Sequence, residues 1–118
     1  MTWNDGNMAV LDFHIAKPQS DIELIANIKP FIAPGRLDYQ RVKIYINDKK
    51  VGEWTVTKSN FHDEAIDIPR DYFKEGGLVK LRFALPDAES PSILGINGDL
   101  RKLALAFHSV VLKNKSEP

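Results

Sequence analysis

Hydrophobic and polar residues alternate along most of this chain, as they do in strands that bury one face and expose the other. Segments with this alternation lie at 8–15, 21–29, 42–46, 51–56, 65–68, 79–85 and from 103 onward. Residues 47–50 are turn-forming and separate two of these segments, which predicts a β-hairpin. Short helical turns are expected after Pro69 and at 90–94, where a proline occupies an early-turn position.

About seven short alternating segments with turns between them predict an all-β fold. We expect an antiparallel β-sandwich of jelly-roll type with one or two short helical turns, and a closed barrel is the main alternative. The chain is predicted to form a single domain over 1–113, followed by a polar tail at 114–118. The expected core residues are Leu11, Phe13, Leu24, Ile44, Ile46, Leu81, Phe83, Leu103, Leu105 and Phe107.

The amino-acid composition argues against several classes of function. Sixteen Lys and Arg residues balance sixteen Asp and Glu residues, so no overall field attracts nucleic acid. The chain has no Cys, which excludes disulfides and thiolate chemistry. No apolar stretch approaches the about 20 residues of a membrane-spanning helix, so this segment is not expected to insert into a membrane.

Recognisable catalytic motifs are missing from the sequence. The three histidines, at 14, 62 and 108, lack metal-ligand spacing, and no Gly-x-Ser-x-Gly motif is present. The carboxylates at 63–64 and 87–89 are expected to be solvated charges in loops. The sequence therefore predicts a protein that is not an enzyme, with no catalytic residues and no cofactor.

Two polar stretches are candidates for ligand contact. The ring of Trp3 can stack on a sugar while Asn4 and Asp5 bond to its hydroxyls; alternatively, Trp3 plugs the end of the sandwich. In the second stretch, Asp99 and Arg101 can pair and order their loop, and this stapling role is favoured over direct ligand contact. The candidate ligand-binding residues are Trp3, Asn4, Asp5, Asn97, Asp99 and Arg101. Asp5 or Asp99 could also contribute to a structural Ca²⁺ site, although no motif indicates one.

Three segments together carry a resemblance to a known family. They are Trp3-Asn-Asp-Gly, Val42-Lys-Ile-Tyr-Ile-Asn-Asp-Lys-Lys-Val-Gly-Glu-Trp54 and Ser90-Pro-x-x-Leu-Gly-x-x-x-Asp99-x-Arg101-x-Leu-x-x-x-Phe107. The chain resembles the accessory β-sandwich domains found at the C-terminus of bacterial phosphoglycerol transferases and of membrane glycosyltransferases of surface-polysaccharide assembly. It departs from them at Ala104, where a glycine is expected.

The resemblance implies a non-catalytic, carbohydrate-binding or accessory module of an enzyme that assembles envelope glycans. Its partners would be a glycan and the parent-enzyme domain, on the periplasmic side of a membrane-anchored protein. The alternative is a purely structural or protein-interaction domain that packs against its parent enzyme. An exposed apolar patch near Ile25, Tyr45 or Ala104 and Ala106 would mark that second role.

Overall fold

The computed structural model of the chain describes the backbone of residues 2–3 and all of residues 6–90 and 103–115. These residues form eight strands in two four-stranded antiparallel sheets. The strands are β1 (Thr2–Trp3), β2 (Met8–Ile15), β3 (Ile22–Pro30), β4 (Gln40–Ile46), β5 (Lys49–Val56), β6 (His62–Ile68), β7 (Gly77–Ala84) and β8 (Leu105–Asn114). Sheet A has the order β1-β8-β3-β6, and sheet B has the order β2-β7-β4-β5.

The strand pairs show how the chain is wound. β1 pairs with β8, β2 with β7, β3 with β6 and β4 with β5, so the chain forms one long hairpin whose tip lies between β4 and β5. Successive pairs of this hairpin alternate between the two sheets as it wraps around the core. This is the winding of a jelly roll, and the predicted all-β sandwich is confirmed.

The hairpin tip is a two-residue turn at Asn47 and Asp48. Their φ angles are 47° and 70°, the left-handed geometry that lets a short turn follow the twist of its strands. The Asn47 side-chain oxygen accepts a hydrogen bond from the Lys80 N–H at 2.9 Å, and the Asn47 N–H donates to the Lys80 carbonyl at 3.0 Å. These two hydrogen bonds hold the tip against β7. The turn is shorter than predicted, because Lys49 and Lys50 already belong to β5.

The core lies between the sheets and is centred on Phe83. This side chain is fully buried, and its ring centroid lies 6.1 Å from that of Trp54 and 5.5 Å from that of Phe107. Of the ten predicted core residues, Leu24, Ile44, Ile46, Leu81, Phe83, Leu103 and Leu105 are buried, and Phe13 and Phe107 pack against the core while half-buried.

The prediction for Leu11 was wrong. Its side chain is 38% exposed, because β2 is the edge strand of sheet B and is covered on one side only, by β7. Alternation identifies the inward face of a strand, but it does not show whether that strand lies at the centre or the edge of its sheet.

Two further sequence predictions concern the connections and the C-terminus. A 3₁₀ turn at Arg70–Tyr72 follows Pro69 as expected, whereas the second predicted turn, at 90–94, lies outside the described residues beyond Ser90. β8 continues through Asn114, the first residue of the predicted tail, and the Lys115 N–H donates to the Asp21 carbonyl at 3.0 Å. Within the described ranges, no helix is long and apolar enough to span a bilayer.

Candidate functional site

The ligand-binding residues predicted from the sequence fall largely outside the described part of the chain. Asn4, Asp5, Asn97, Asp99 and Arg101 all lie there, so their proposed contacts and the Asp99–Arg101 pair stay predictions. The backbone of Trp3 belongs to β1 and pairs with Ala106 of β8. The site that the structure does describe lies elsewhere, on sheet B and at one end of it.

At that end of sheet B, an ion pair joins Arg41 and Asp87. Arg41 Nε and a terminal guanidinium nitrogen donate to the two Asp87 carboxylate oxygens at 3.0 and 2.8 Å, and the Arg41 backbone N–H donates to the same carboxylate at 2.8 Å. Hydrogen bonds from Arg41 lower the pKa of Asp87, against the opposing effect of its burial. Asp87 was expected to be a solvated loop charge; it instead fastens the segment after β7 to the start of β4.

Gln40 lies next to this ion pair, and its side chain points into the interior of the sandwich. Its side chain is fully buried, and its amide nitrogen donates to the carbonyls of Phe31 at 2.6 Å and Asp87 at 3.4 Å. Residues 31, 40 and 87 therefore meet at this side chain, and Asp87 is 47 positions from Gln40 in the sequence. Because buried carbonyls without a donor are costly, this amide has a structural role.

Replacing Asp87 with asparagine should lower the free energy of unfolding at pH 7 by about 1–2 kcal/mol, because charge-assisted hydrogen bonds from Arg41 are lost. The Asp87 side chain is only 12% exposed, but that of Arg41 is 44% exposed, so water screens part of the interaction. The pKa of Asp87 is lowered in the folded state from its ordinary value of 3.8. Its stabilising contribution is therefore complete above that pH and is lost as the pH falls through the folded-state pKa. Urea unfolding of both proteins as a function of pH measures this difference.

The exposed Asp71→Asn variant is the control, and its free energy of unfolding at pH 7 should match that of the parent protein. Equal stability of Asp87→Asn and the parent at pH 7 would contradict the proposed role of the ion pair. A difference that persists undiminished at pH 2 would contradict it as well.

The pairing register of β2, β7 and β4 determines which side chains lie together on the outer face of sheet B. Val42, Ile44 and Ile46 point into the core, so Lys43 and Tyr45, which alternate with them, point outward. Tyr45 lies opposite Arg82 of β7, and Arg82 lies opposite Val10 of β2. The next row places Lys43 opposite Ala84 and Ala84 opposite Met8. This face, formed by Met8, Val10, Lys43, Tyr45, Lys80 and Arg82, is the candidate functional site.

The centre of the face is a cation–π pair. The Arg82 guanidinium carbon lies 4.0 Å from the centroid of the Tyr45 ring. Stacking fixes the orientation of the planar guanidinium but leaves its N–H donors available around its edge. Such an arrangement can bind a carboxylate or a phosphate in two-point geometry.

The charges on this face are only partly neutralised. Arg41 pairs with Asp87 at 2.8 Å and Lys50 with Glu53 at 3.1 Å, whereas no described carboxylate lies within ion-pair distance of Lys43, Lys80 or Arg82. On the outer face of sheet A, by contrast, Lys113 pairs with Glu23 and Lys115 with Asp67, at 3.6 and 2.6 Å. In the strand register Asp12 lies opposite Lys80 and Glu53 lies opposite Lys43, so the outer face of sheet B carries both signs of charge, with an excess of cations around Arg82.

The histidines occupy three different environments. His14 and His108 are exposed, as their polar-face positions predicted. His62 lies on β6, where its Nε2 is 2.7 Å from a Glu64 carboxylate oxygen and its Nδ1 is 2.8 Å from the Asn60 carbonyl. The expectation that residues 63–64 are in a loop was therefore wrong. Among the described residues, no group of three or more His, Asp or Glu side chains could hold a metal ion.

A cleft of about 570 Å³ lies at the opposite end of the sandwich from Gln40. It is lined by Lys17, Gln19, Arg70, Asp71, Lys74 and Glu75. Lys17 pairs with Glu75 at 3.2 Å, and the lining carries both signs of charge. Unlike the outer face of sheet B, the described lining of this cleft holds no guanidinium stacked on an aromatic ring.

Neither a model of a known protein family nor a curated protein matches this chain. Four residues of the candidate face, Lys43, Tyr45, Lys80 and Arg82, were visible in the sequence as polar-face positions of two strands, whereas Met8 and Val10 belong to a third strand. What the sequence did not show is that β4 and β7 are neighbours in one sheet, which brings Tyr45 and Arg82 together.

Proposed function

We propose that this chain is a non-catalytic, carbohydrate-binding accessory module of a bacterial enzyme that assembles envelope glycans, with the outer face of sheet B as its binding surface. The setting, on the periplasmic side of a membrane-anchored parent protein, is proposed from the sequence resemblance. The ligand class is proposed from the chemistry of the face. It is an oligosaccharide that carries negative charge.

The observation that carries this proposal is the stacked Arg82–Tyr45 pair with its unpaired cations. Arg82 is held at 4.0 Å from the ring centroid, so less rotamer freedom is lost when it binds an acidic group. Lys43 and Lys80 lie on the same face opposite Glu53 and Asp12, but neither lysine is within ion-pair distance of a described carboxylate. These groups recognise an anion, whereas a neutral sugar gains little from them.

The apolar part of the face suits the rest of a sugar ring. Met8 is 49% exposed and Val10 is 45% exposed, and they lie on the opposite side of β7 from Tyr45. Sugar rings present C–H faces that pack on such side chains, while their hydroxyls stay in water. Because the face is open rather than a deep pocket, binding should be weak, with a Kd from about 1 mM to tens of micromolar, or about 4–6 kcal/mol.

Calorimetric titration with an oligogalacturonate and with a neutral malto-oligosaccharide of the same length tests this proposal. The acidic sugar should bind more tightly, and the difference should shrink as salt is added. Arg82→Gln should weaken binding of the acidic sugar about tenfold, since one charge-assisted bidentate contact is lost. Lys43→Gln should weaken it less, because a lysine contributes a single point charge without two-point geometry.

Lys29→Gln provides the matched control. Lys29 is half-buried like Lys43, but it lies on the outer face of sheet A. Its replacement should leave the affinity unchanged. Equal loss in Lys29→Gln and Lys43→Gln would indicate nonspecific charge attraction, and equal binding of the acidic and neutral sugars would contradict the charge-based proposal.

A second candidate function is a structural module that packs against its parent enzyme. It is favoured by an apolar row on the outer face of sheet A, where Ile25 lies opposite both Ala65 and Val111. Val111 is 45% exposed, and Ile25 is half-buried. Among the other expected patch residues, Ala104 and Ala106 are buried, so that expectation was wrong for them. Tyr45 lies on sheet B with Arg82 stacked over its ring. Failure of both sugars to bind would favour this second function.

A further inference from the structure

The side chains of His62 and Glu64 lie on the inner face of β6, the edge strand of sheet A. His62 pairs with Ile28 of β3, and Glu64 pairs with Ala26. Both β3 residues are fully buried, and residues directly opposite each other on neighbouring strands share a face of the sheet. The imidazole and the carboxylate are accordingly only 13% and 26% exposed.

Both ring nitrogens of His62 face hydrogen-bond acceptors. Nδ1 lies 2.8 Å from the Asn60 carbonyl oxygen, and Nε2 lies 2.7 Å from a Glu64 carboxylate oxygen. A neutral imidazole has one N–H, so its other nitrogen would place a lone pair against an oxygen at this distance. Both contacts are hydrogen bonds when the ring carries two protons. Because a carboxylic acid is a stronger acid than an imidazolium, the second proton belongs on His62 and not on Glu64.

The other described groups around this ring do not supply a competing charge. β5 packs against β6 and contributes the buried, uncharged ring of Trp54. Asp63 alternates to the outer face of β6, where it accepts a hydrogen bond from the Asn27 amide at 2.9 Å. Lys58 is exposed in the connection at 57–61. In the part of the chain that the structure describes, the ion-pair partner of the imidazole is Glu64 alone.

We infer that Asn60, His62 and Glu64 form a pH-sensitive switch that controls the order of the connection at 57–61, between β5 and β6. The doubly protonated ring donates to both neighbours. When it gives one proton to water, as imidazoles do between pH 5 and 8, one N–H is left for two acceptors. The carboxylate is the stronger acceptor, so the proton stays on Nε2 and the hydrogen bond to Asn60 is lost. The connection then becomes less ordered, while β6 stays paired with β3.

A second histidine lies close to the same connection. Phe61 follows Asn60, and its ring makes an edge-on contact with the ring of His108 on β8 at 6.1 Å between centroids. Because His108 is exposed and also changes charge between pH 5 and 8, its effect on the connection must be separated from that of His62. Replacing each histidine in turn with glutamine, which keeps a donor and an acceptor without a charge change, makes this separation.

NMR of the ¹⁵N-labelled 118-residue chain from pH 5.5 to 8 tests the switch. At pH 5.5, both ring N–H protons of His62 should be detected, whereas those of the exposed His14 and His108 rings should be lost to exchange with water. At pH 8, the ring nitrogen shifts of His62 should show the Nε2–H tautomer. The heteronuclear NOE of residues 58–61 should fall in step with loss of the His62 proton.

The His62→Gln variant should lose the pH dependence of order at 58–61, and His108→Gln should keep it. Glu64→Gln should lower the ratio of doubly to singly protonated His62 at pH 7 about three- to tenfold, because the opposite charge is removed from a partly exposed site. Asp63→Asn is the matched control, since it removes the neighbouring carboxylate from the other face of the strand, and it should leave the ratio unchanged.

Three results would overturn the inference. The first is an Nδ1–H tautomer of His62 at pH 8, and the second is an order of residues 58–61 that does not change with pH. Both are measured on the parent chain and need no variant to fold. The third is an equal effect of Glu64→Gln and Asp63→Asn on the protonation of His62 in variants that circular dichroism shows to be folded.

Discussion

Replacing Phe83 with alanine is expected to lower the free energy of unfolding by about 3–5 kcal/mol. Phe83 is fully buried between the sheets and contacts the rings of Trp54 and Phe107. Its removal leaves a cavity between the rings of Trp54 and Phe107, which belong to different sheets. The close-packed interior can relax only partly to fill this cavity. Since small domains are stable by about 5–15 kcal/mol, the variant should be close to unfolding, as urea denaturation would show.

Phe61→Ala is the control for that measurement. Phe61 is 38% exposed and makes an edge-on contact with the exposed ring of His108 at 6.1 Å between centroids. Its loss should cost much less, because more than a third of its surface is already in water. Similar losses for Phe61→Ala and Phe83→Ala would contradict the placement of the core.

Replacing Gly76 with alanine is expected to have the second-largest effect. Its φ is +85°, and a Cβ atom there would lie 2.7 Å from the Ala16 carbonyl carbon and 2.7 Å from the Lys17 nitrogen. Left-handed geometry costs a non-glycine residue about 1–2 kcal/mol. The contact with backbone adds about 1–3 kcal/mol, since the segment after β2 must shift.

The neighbouring Gly77→Ala variant separates these two causes. Gly77 has a φ of +91°, but no atom lies within 4 Å of a Cβ built there. It should show the conformational cost alone, about 1–2 kcal/mol. Thermal unfolding of both variants measures the difference, and a Gly77→Ala variant as unstable as Gly76→Ala would rule out the close backbone approach.

Much of the fold was predictable because alternation is a local signal. The segment predicted at 8–15 matches β2, and the Asn-Asp pair at 47–48 marked the hairpin tip. The position of a strand within its sheet, by contrast, is not determined by the residues of that strand alone. Leu11 shares the inward face of its strand with Phe13, yet it is 38% exposed, because β2 has a neighbour on one side only.

The described site was less predictable for the same reason. Arg41 and Asp87 are separated by 46 positions, and nothing near either residue indicates the other. Tyr45 and Arg82 were each predictable as outward residues, but their contact depends on the β4–β7 pairing. Side chains that meet across strands become a site only when the order of the strands is known.

The most direct test of the binding face is an amide chemical-shift map of the labelled chain during titration with an acidic oligosaccharide. We predict that the shifts concentrate on β4 and β7, around Lys43, Tyr45 and Arg82. Shifts at Trp3–Asp5 or 95–99 instead would still indicate glycan binding, but they would place the site in the loops predicted from the sequence. Shifts confined to sheet A, or none at all, would contradict the proposal that the outer face of sheet B binds a glycan.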